Sequence, residues 1–222
     1  MGREAAVGQP QLFMTITNVY IDGFNLYYGC LRRTPFRWLD VSRLSSLLLP
    51  RDHRIHRIRY FTARVSKRPD NLDAPTRQDA YLRALATIPN LTVAFGHFLK
   101  SQTMMPLVKP LPDGTTYVRV VKTEEKGSDV NLACHLLLDA FRGDCDAVFI
   151  ISNDSDLLEP IRIARQEFGL AVGIGCPHEH ISRALLREAG FVRKIRRGAL
   201  GASQFPSELF DTSGRITKPA TW

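Results

Sequence analysis

Apolar positions fall into short blocks that switch between two periods along the chain. Residues 19–21 and 147–151 are apolar, largely β-branched runs without polar alternation, as expected of parallel strands buried on both faces. Between such runs the spacing becomes helical. Ala80, Leu82, Ala84 and Leu85 mark a helix over 76–86 that ends before Pro89. The whole pattern predicts a strand at 17–21, a helical stretch at 25–31, a helix at 41–49, a strand at 57–65, a polar loop at 67–75, the helix 76–86 and a strand at 91–99. Two strand-like runs, 105–111 and 117–122, flank the turn sequence PDGTT and predict a projecting hairpin. Ser128 is the expected cap of a helix running to 141. Strand 147–151, a helix with Pro160 in its first turn that runs to 168 before Gly169, strand 170–174, helix 181–189 and strand 191–195 complete the series. This alternation predicts an α/β fold, a mainly parallel sheet with helices on both faces.

Carboxylates punctuate the pattern. Asp22 follows the first strand in VYIDGFN, Asp129 opens the helix in KGSDVNLA, and Asp154 and Asp156 follow strand 147–151 in FIISNDSDL. Open α/β sheets bind ligands outside the C-terminal ends of their strands. Carboxylates converging there repel one another unless a cation neutralises them, and all-oxygen donors select Mg²⁺ or Mn²⁺. Each motif also has a plainer reading. Asp22-Gly23 is a good turn, Asn25, Asp154 and Asp156 are good caps, and Asp129 suits a helix N-terminus. Three such motifs in one βαβ pattern favour the metal site.

Composition narrows the setting. A chain of 222 residues with 44% hydrophobic content supports one good core, and no apolar run is long enough to span a bilayer. The net charge of +8 is clustered: residues 51–68 carry Arg51, Arg54, Arg57, Arg59, Arg64, Lys67 and Arg68 against Asp52 alone. An acidic pocket in a basic surface is the electrostatics of a nuclease, in which cations steer the phosphate backbone. Cys30, Cys134, Cys145 and Cys176 lack any CxxC spacing, which favours reduced thiols and a cytoplasmic protein. Residues 1–14 read as a flexible leader without a signal or transit pattern.

Other chemistry is weaker. Cys176, His178 and His180 are close but have no partner pair for zinc, and His53 and His56 read as a solvated face. Glu124 and Glu125 are a further acid for the site or partners of Lys122 and Lys126. No GxSxG, GxxxxGK[ST] or GxGxxG occurs.

On IDGFNLYYG, EKGSDVNLACHLLLDAF and DAVFIISNDSDLLEPIRIARQEFG, residues 17–195 resemble the NYN domain family, the PIN-like ribonuclease fold, in its bacterial LabA-type branch. The resemblance implies a three-layer, Rossmann-like α/β domain over 15–198, followed by a C-terminal tail at 199–222 like the end segment of some bacterial members. It implies hydrolysis of RNA phosphodiester bonds with Mg²⁺ or Mn²⁺ held by Asp22, Asp129 and Asp154, accompanied by Asp156 and Asn25. Arg64, Lys67, Arg68, Lys122 and Lys126 are the candidates for gripping phosphates. RNA is the expected partner, no membrane is involved, and homo-oligomerisation is left open. The alternatives are an inactive RNA-binding or scaffold protein and a phosphatase of small metabolites.

Overall fold

A computed structural model describes residues 14–222. The expected leader therefore lies outside the described residues, apart from Met14. Seven strands form the central sheet: β1 (Thr15–Asp22), β2 (His53–Ala63), β3 (Leu91–Pro106), β4 (Tyr117–Lys126), β5 (Ala147–Ile151), β6 (Ala171–Cys176) and β7 (Phe191–Lys194). Their order is β4-β3-β2-β1-β5-β6-β7, and all neighbours are parallel except β3 and β4. The chain leaves β1 toward β2 on one side and later returns to β5 on the other. The topological switch point thus lies between β1 and β5.

Alternation along the central strands divides the core. Val19, Ile21, Phe149 and Ile151 face one layer, with Trp38, α2 (Val41–Leu48) and α3 (Ala74–Ala86). Tyr20, Val148 and Ile150 face the other, which is covered by α4 (Ser128–Arg142), α5 (Leu158–Gln166) and α6 (Arg183–Glu188). This is the expected three-layer arrangement. The short α1 (Gly23–Leu26) follows β1 directly and widens into a π-helical turn at Tyr27–Leu31.

Differences from the sequence reading concern edges and ends. Strand β2 begins at His53, four residues before the expected start, because His53 pairs in register with Thr15 and its Nδ1 lies 2.8 Å from the Thr17 hydroxyl. The run expected as strand 91–99 extends to Pro106 as one long strand, β3, and of the run expected at 105–111 only Met105 and Pro106 belong to it, the rest being loop. Strand β3 pairs with β4 from His97↔Lys126 to Pro106↔Tyr117. The polar Lys100, Ser101 and Gln102 belong to this solvent-facing edge hairpin, where an apolar pattern is not required. Ser128 is not the cap of α4. Gly127 is, in a left-handed conformation, and Ser128 is the first helical residue.

The segment expected as a tail carries α7 (Arg197–Ala202) and a hairpin of β8 (Glu208–Asp211) and β9 (Gly214–Thr217). Leu200, Phe205 and Ile216 are buried in the same core as Val19 and Trp38, and the Trp38 indole N–H donates to the Pro206 carbonyl at 2.7 Å. All four cysteines are free, and Cys176 donates to the carbonyl of His178. No helix among the described residues is long and apolar enough to cross a membrane.

Two arginines of the basic segment are half-buried and paired. Asp139, fully buried on α4, accepts from the Tyr20 hydroxyl at 2.9 Å, from two nitrogens of Arg59 at 2.7 Å each and from Arg57 at 2.9 Å. Burial alone would raise its pKa, but the bonds from Arg59 and Tyr20 and the two positive charges outweigh this and hold it below the ordinary aspartate range. Arg57 also reaches Asp144 at 2.7 Å. Arg57 and Arg59 are half-buried and hold the sheet to α4, with their charge directed at Asp139 and Asp144.

Candidate active site

Asp22 ends β1 and caps α1, its Oδ1 accepting the Asn25 backbone N–H at 2.9 Å. Its Oδ2 accepts the hydroxyl of Ser152, just past β5, at 3.1 Å. The Ser152 oxygen in turn accepts the backbone N–H of Asp154 at 3.1 Å, so one hydroxyl ties the two acidic motifs together. Asp154 caps the 3₁₀ turn Ser155–Leu157 by accepting the Asp156 N–H. Asn25 bridges the same gap: its side-chain oxygen accepts the Asn153 N–H at 3.0 Å and lies 3.1 Å from His178 Nε2. Asn153 accepts from the Ser182 N–H and donates to the His180 carbonyl, which fastens the loop after β6.

Asp129 arrives from a third direction, in the first turn of α4. The start of that helix is held by Glu125, whose carboxylate accepts the Ser128 N–H at 3.1 Å and its hydroxyl at 2.6 Å. Only glycine fits at position 96 of β3, alongside this junction. A Cβ there would stand 2.3 Å from Glu125 Oε1 and 2.5 Å from the Lys126 carbonyl.

These segments enclose a cleft at the switch point of the sheet, lined by Asp22, Asn25, Glu125, Asp129, Asp154 and His178, with Phe24 and Tyr28 at its edge. Among the described residues, no lysine or arginine lines it. The charges are mutually unfavourable. Asp129 is pushed up to about 6, first by burial and then by Asp22, Asp154, Glu125 and Asp156. Asp22 is also raised, chiefly by burial, although bonds from Asn25 and Ser152 oppose the shift.

Of the residues singled out from sequence, Asp22, Asn25, Asp129 and Asp154 share the cleft, and Glu125 joins them. Asp156 is exposed on the turn beside it and contributes charge only. Glu124 is taken up by Lys122 at 2.7 Å and Lys126 at 3.6 Å. Arg64 pairs with Asp79 and lies over the Phe95 ring, while Lys67 and Arg68 sit on the loop after β2 without a carboxylate partner among the described residues. Ser152, Asn153 and His178 were not foreseen in these positions. Their places depend on hydrogen bonds between segments remote in sequence, which no local pattern records.

Among the described residues, no three His, Cys, Asp or Glu side chains are close enough together to hold an ion directly. The donor chemistry nonetheless suits a hard cation. The cleft's carboxylates offer oxygen alone and are crowded with like charge, His178 Nε2 lies against Asn25, and Mg²⁺ keeps several waters while taking only one or two carboxylates.

The NYN domain profile matches residues 16–194. The 6-hydroxy-3-succinoylpyridine 3-monooxygenase HspA of Pseudomonas putida is 30% identical over 235 residues, covering 93% of this chain and 75% of that protein. In fold the chain is similar to a Vibrio parahaemolyticus protein of unknown function, with a TM-score of 0.56 at 16% identity, covering 89% of this chain and 100% of the other. The extent of the profile match, and the acidic cleft within it, lead to one assignment: the chain belongs to the NYN family, whose domains are generally PIN-like nucleases.

Proposed function

We propose that this protein is a divalent-metal-dependent ribonuclease, with Mg²⁺ or Mn²⁺ held by Asp22, Asp129 and Asp154, in part through water rather than by all three carboxylates directly. The observation that carries the reading is the convergence of these carboxylates from three segments on one cleft, with no lysine or arginine lining it among the described residues. A bound cation there would offset the charge of a phosphodiester and acidify a water for in-line attack. The protein's own groups do the positioning. Ser152 and the Asn25 N–H fix the Asp22 carboxylate, and Asn25 ties the β1 turn to the β5 turn. Asp156 adds negative charge at the rim. Lys67 and Arg68 contact the RNA backbone as cations that carry no base information. Arg64, paired to Asp79, and Lys122 and Lys126 on β4, both paired to Glu124, are the weaker of the five phosphate candidates.

Purified protein incubated with single-stranded RNA in Mn²⁺ or chelator tests this. Cleavage should require the cation, and Asp154→Asn should abolish it with a loss beyond the roughly 10–100-fold typical of groups one shell outside a metal site. Its RNA affinity and fold should persist. A variant cleaving at the parent rate would reduce Asp154 to a turn residue. RNA binding without cleavage by the parent under any cation would favour the inactive RNA-binding reading.

A second reading has one observation behind it: the 30% identical relative is named for oxygenation of 6-hydroxy-3-succinoylpyridine. It requires oxygen uptake driven by a reductant in the presence of that pyridine, which an oxygen electrode measures directly.

A further inference from the structure

Beside the acidic cleft lies a second cavity of ≈ 230 Å³ with the opposite electrostatics. Phe24 and Tyr28 line both and separate them. Five further aromatic side chains line it. Tyr27 comes from the π-helical turn, Tyr60 from β2, Tyr81 from α3, Phe98 from β3 and Trp222 from the segment after β9. The rings brace one another edge to face: Phe24 against Phe98 at 5.6 Å between centroids, Tyr60 against Tyr81 at 6.3 Å and Tyr81 against Trp222 at 5.8 Å. The Tyr81 hydroxyl is fixed on the Leu39 carbonyl at 2.8 Å. These walls are held in place by the core.

The cavity is lined by three guanidinium groups, Arg37, Arg68 and Arg77, and by no Asp or Glu side chain among the described residues. Arg37 is anchored without a counter-charge: it donates to the Thr34 and Thr221 carbonyls and lies over the Trp222 ring at 5.8 Å. Arg68 has no ion pair among the described residues, and Arg77 donates to Asn71 and reaches Asp73 only at 4.0 Å. The amide of Gln78 is committed to the backbone at Val65 and Ala63, which leaves the arginines as the main strong donors. Aromatic faces take up flat π-systems, and guanidinium forks match carboxylates and phosphates. The volume admits one ring with a short substituent and excludes a duplex.

We propose that this cavity binds one planar heteroaromatic ring carrying an anionic group, with the ring against the aromatic walls and the anion on Arg37 and Arg68. Two sources share that chemistry. One is an unpaired nucleotide of an RNA strand whose neighbouring phosphate enters the acidic cleft, and the other is a free aromatic acid. The cavity's affinity does not depend on the nuclease reading, because it requires neither cation nor cleavage.

The chain has two tryptophans, of which Trp38 is fully buried and Trp222 lines the cavity, so a ligand is read by Trp222 fluorescence. Full-length protein in chelator is titrated with uridine 5′-monophosphate and, separately, with pyridine-3-carboxylate, with calorimetry in parallel. Saturable binding of at least one is expected. Arg68→Ala, an exposed change, should weaken it about tenfold, the worth of one charge-assisted bond. Uridine without phosphate should bind correspondingly more weakly. Asp154→Asn should not weaken binding, since it removes negative charge from the neighbouring cleft. Tighter binding of the nucleotide assigns the RNA source, tighter binding of the pyridine assigns the free acid, and equal binding supports the shared chemistry. The proposal is overturned if neither probe binds the folded protein, or if Arg68→Ala binds as well as the parent. It is also overturned if Asp154→Asn abolishes binding, which would move the ligand into the acidic cleft.

Discussion

Asp129 shows what holding several carboxylates together does to a single residue. An aspartate normally titrates at 3.8, and this one is pushed up to about 6 by burial and by its acidic neighbours. A carboxyl whose pKa is higher folded than unfolded holds its proton more tightly in the fold. Its contribution to stability is therefore complete below the unfolded value and is lost as pH rises through about 6. At pH above 7 the ionised side chain works against folding. Asp129→Asn keeps the shape and removes the charge, so it should stabilise the protein by roughly 1–2 kcal/mol at neutral pH, below the full linkage value because the site is partly solvated. The gain should vanish near pH 4, where the folded parent is already protonated at this site. Mn²⁺ should raise the melting temperature of the parent more than that of the variant. Thermal melts at the two pH values decide the matter, and a variant no more stable than its parent at neutral pH would show that the acids do not strain one another.

At the scale of elements, the site depends on how closely β3 passes the start of α4. Gly96→Ala would drive a methyl into the Glu125 carboxylate that holds Ser128, and would shift the turn carrying Asp129. Overpacking of this kind costs about 1–3 kcal/mol, and catalysis should fall further than RNA affinity because a displaced Asp129 misplaces the cation while leaving the basic surface intact. Equal losses in cleavage and binding would mean that the whole domain had loosened. This dependence was invisible in the sequence, where Gly96 sits in a strand pattern like any other glycine. The central strands were legible because β1 and β5 are buried on both faces and must be continuously apolar. The β3–β4 hairpin was misdivided because both its faces meet solvent and tolerate the polar Lys100, Ser101 and Gln102. The three aspartates could be read because Asp22 sits one step past a legible strand, Asp154 lies in the turn just after another, and Asp129 opens a legible helix. Ser152, Asn153 and His178 could not, since their hydrogen bonds cross between turns that only the folded sheet brings together.

Across the whole molecule the excess of +8 charges is less available to RNA than its clustering in sequence suggests. Arg57 and Arg59 are spent on Asp139 and Asp144, Arg64 on Asp79, and Lys122 and Lys126 on Glu124. Lys67 and Arg68 have no carboxylate partner among the described residues and sit on the loop that borders the aromatic cavity. Each phosphate neutralised on a single strand contributes about −0.7 to the slope of log affinity against log salt. Replacing Lys67 and Arg68 together with alanine should therefore flatten that slope by about 1.4, and should weaken RNAs of unrelated sequence alike. Arg59→Leu should do the reverse. It leaves Asp139 buried beside a lost partner, so stability should fall by about 3–5 kcal/mol while the salt slope of the protein that remains folded is unchanged. Measuring affinity for one single-stranded RNA over a range of salt, with denaturant melts of the same proteins, separates the two roles. A steeper loss of slope in Arg59→Leu than in the double variant would return the half-buried arginines to the substrate path and remove the loop from it.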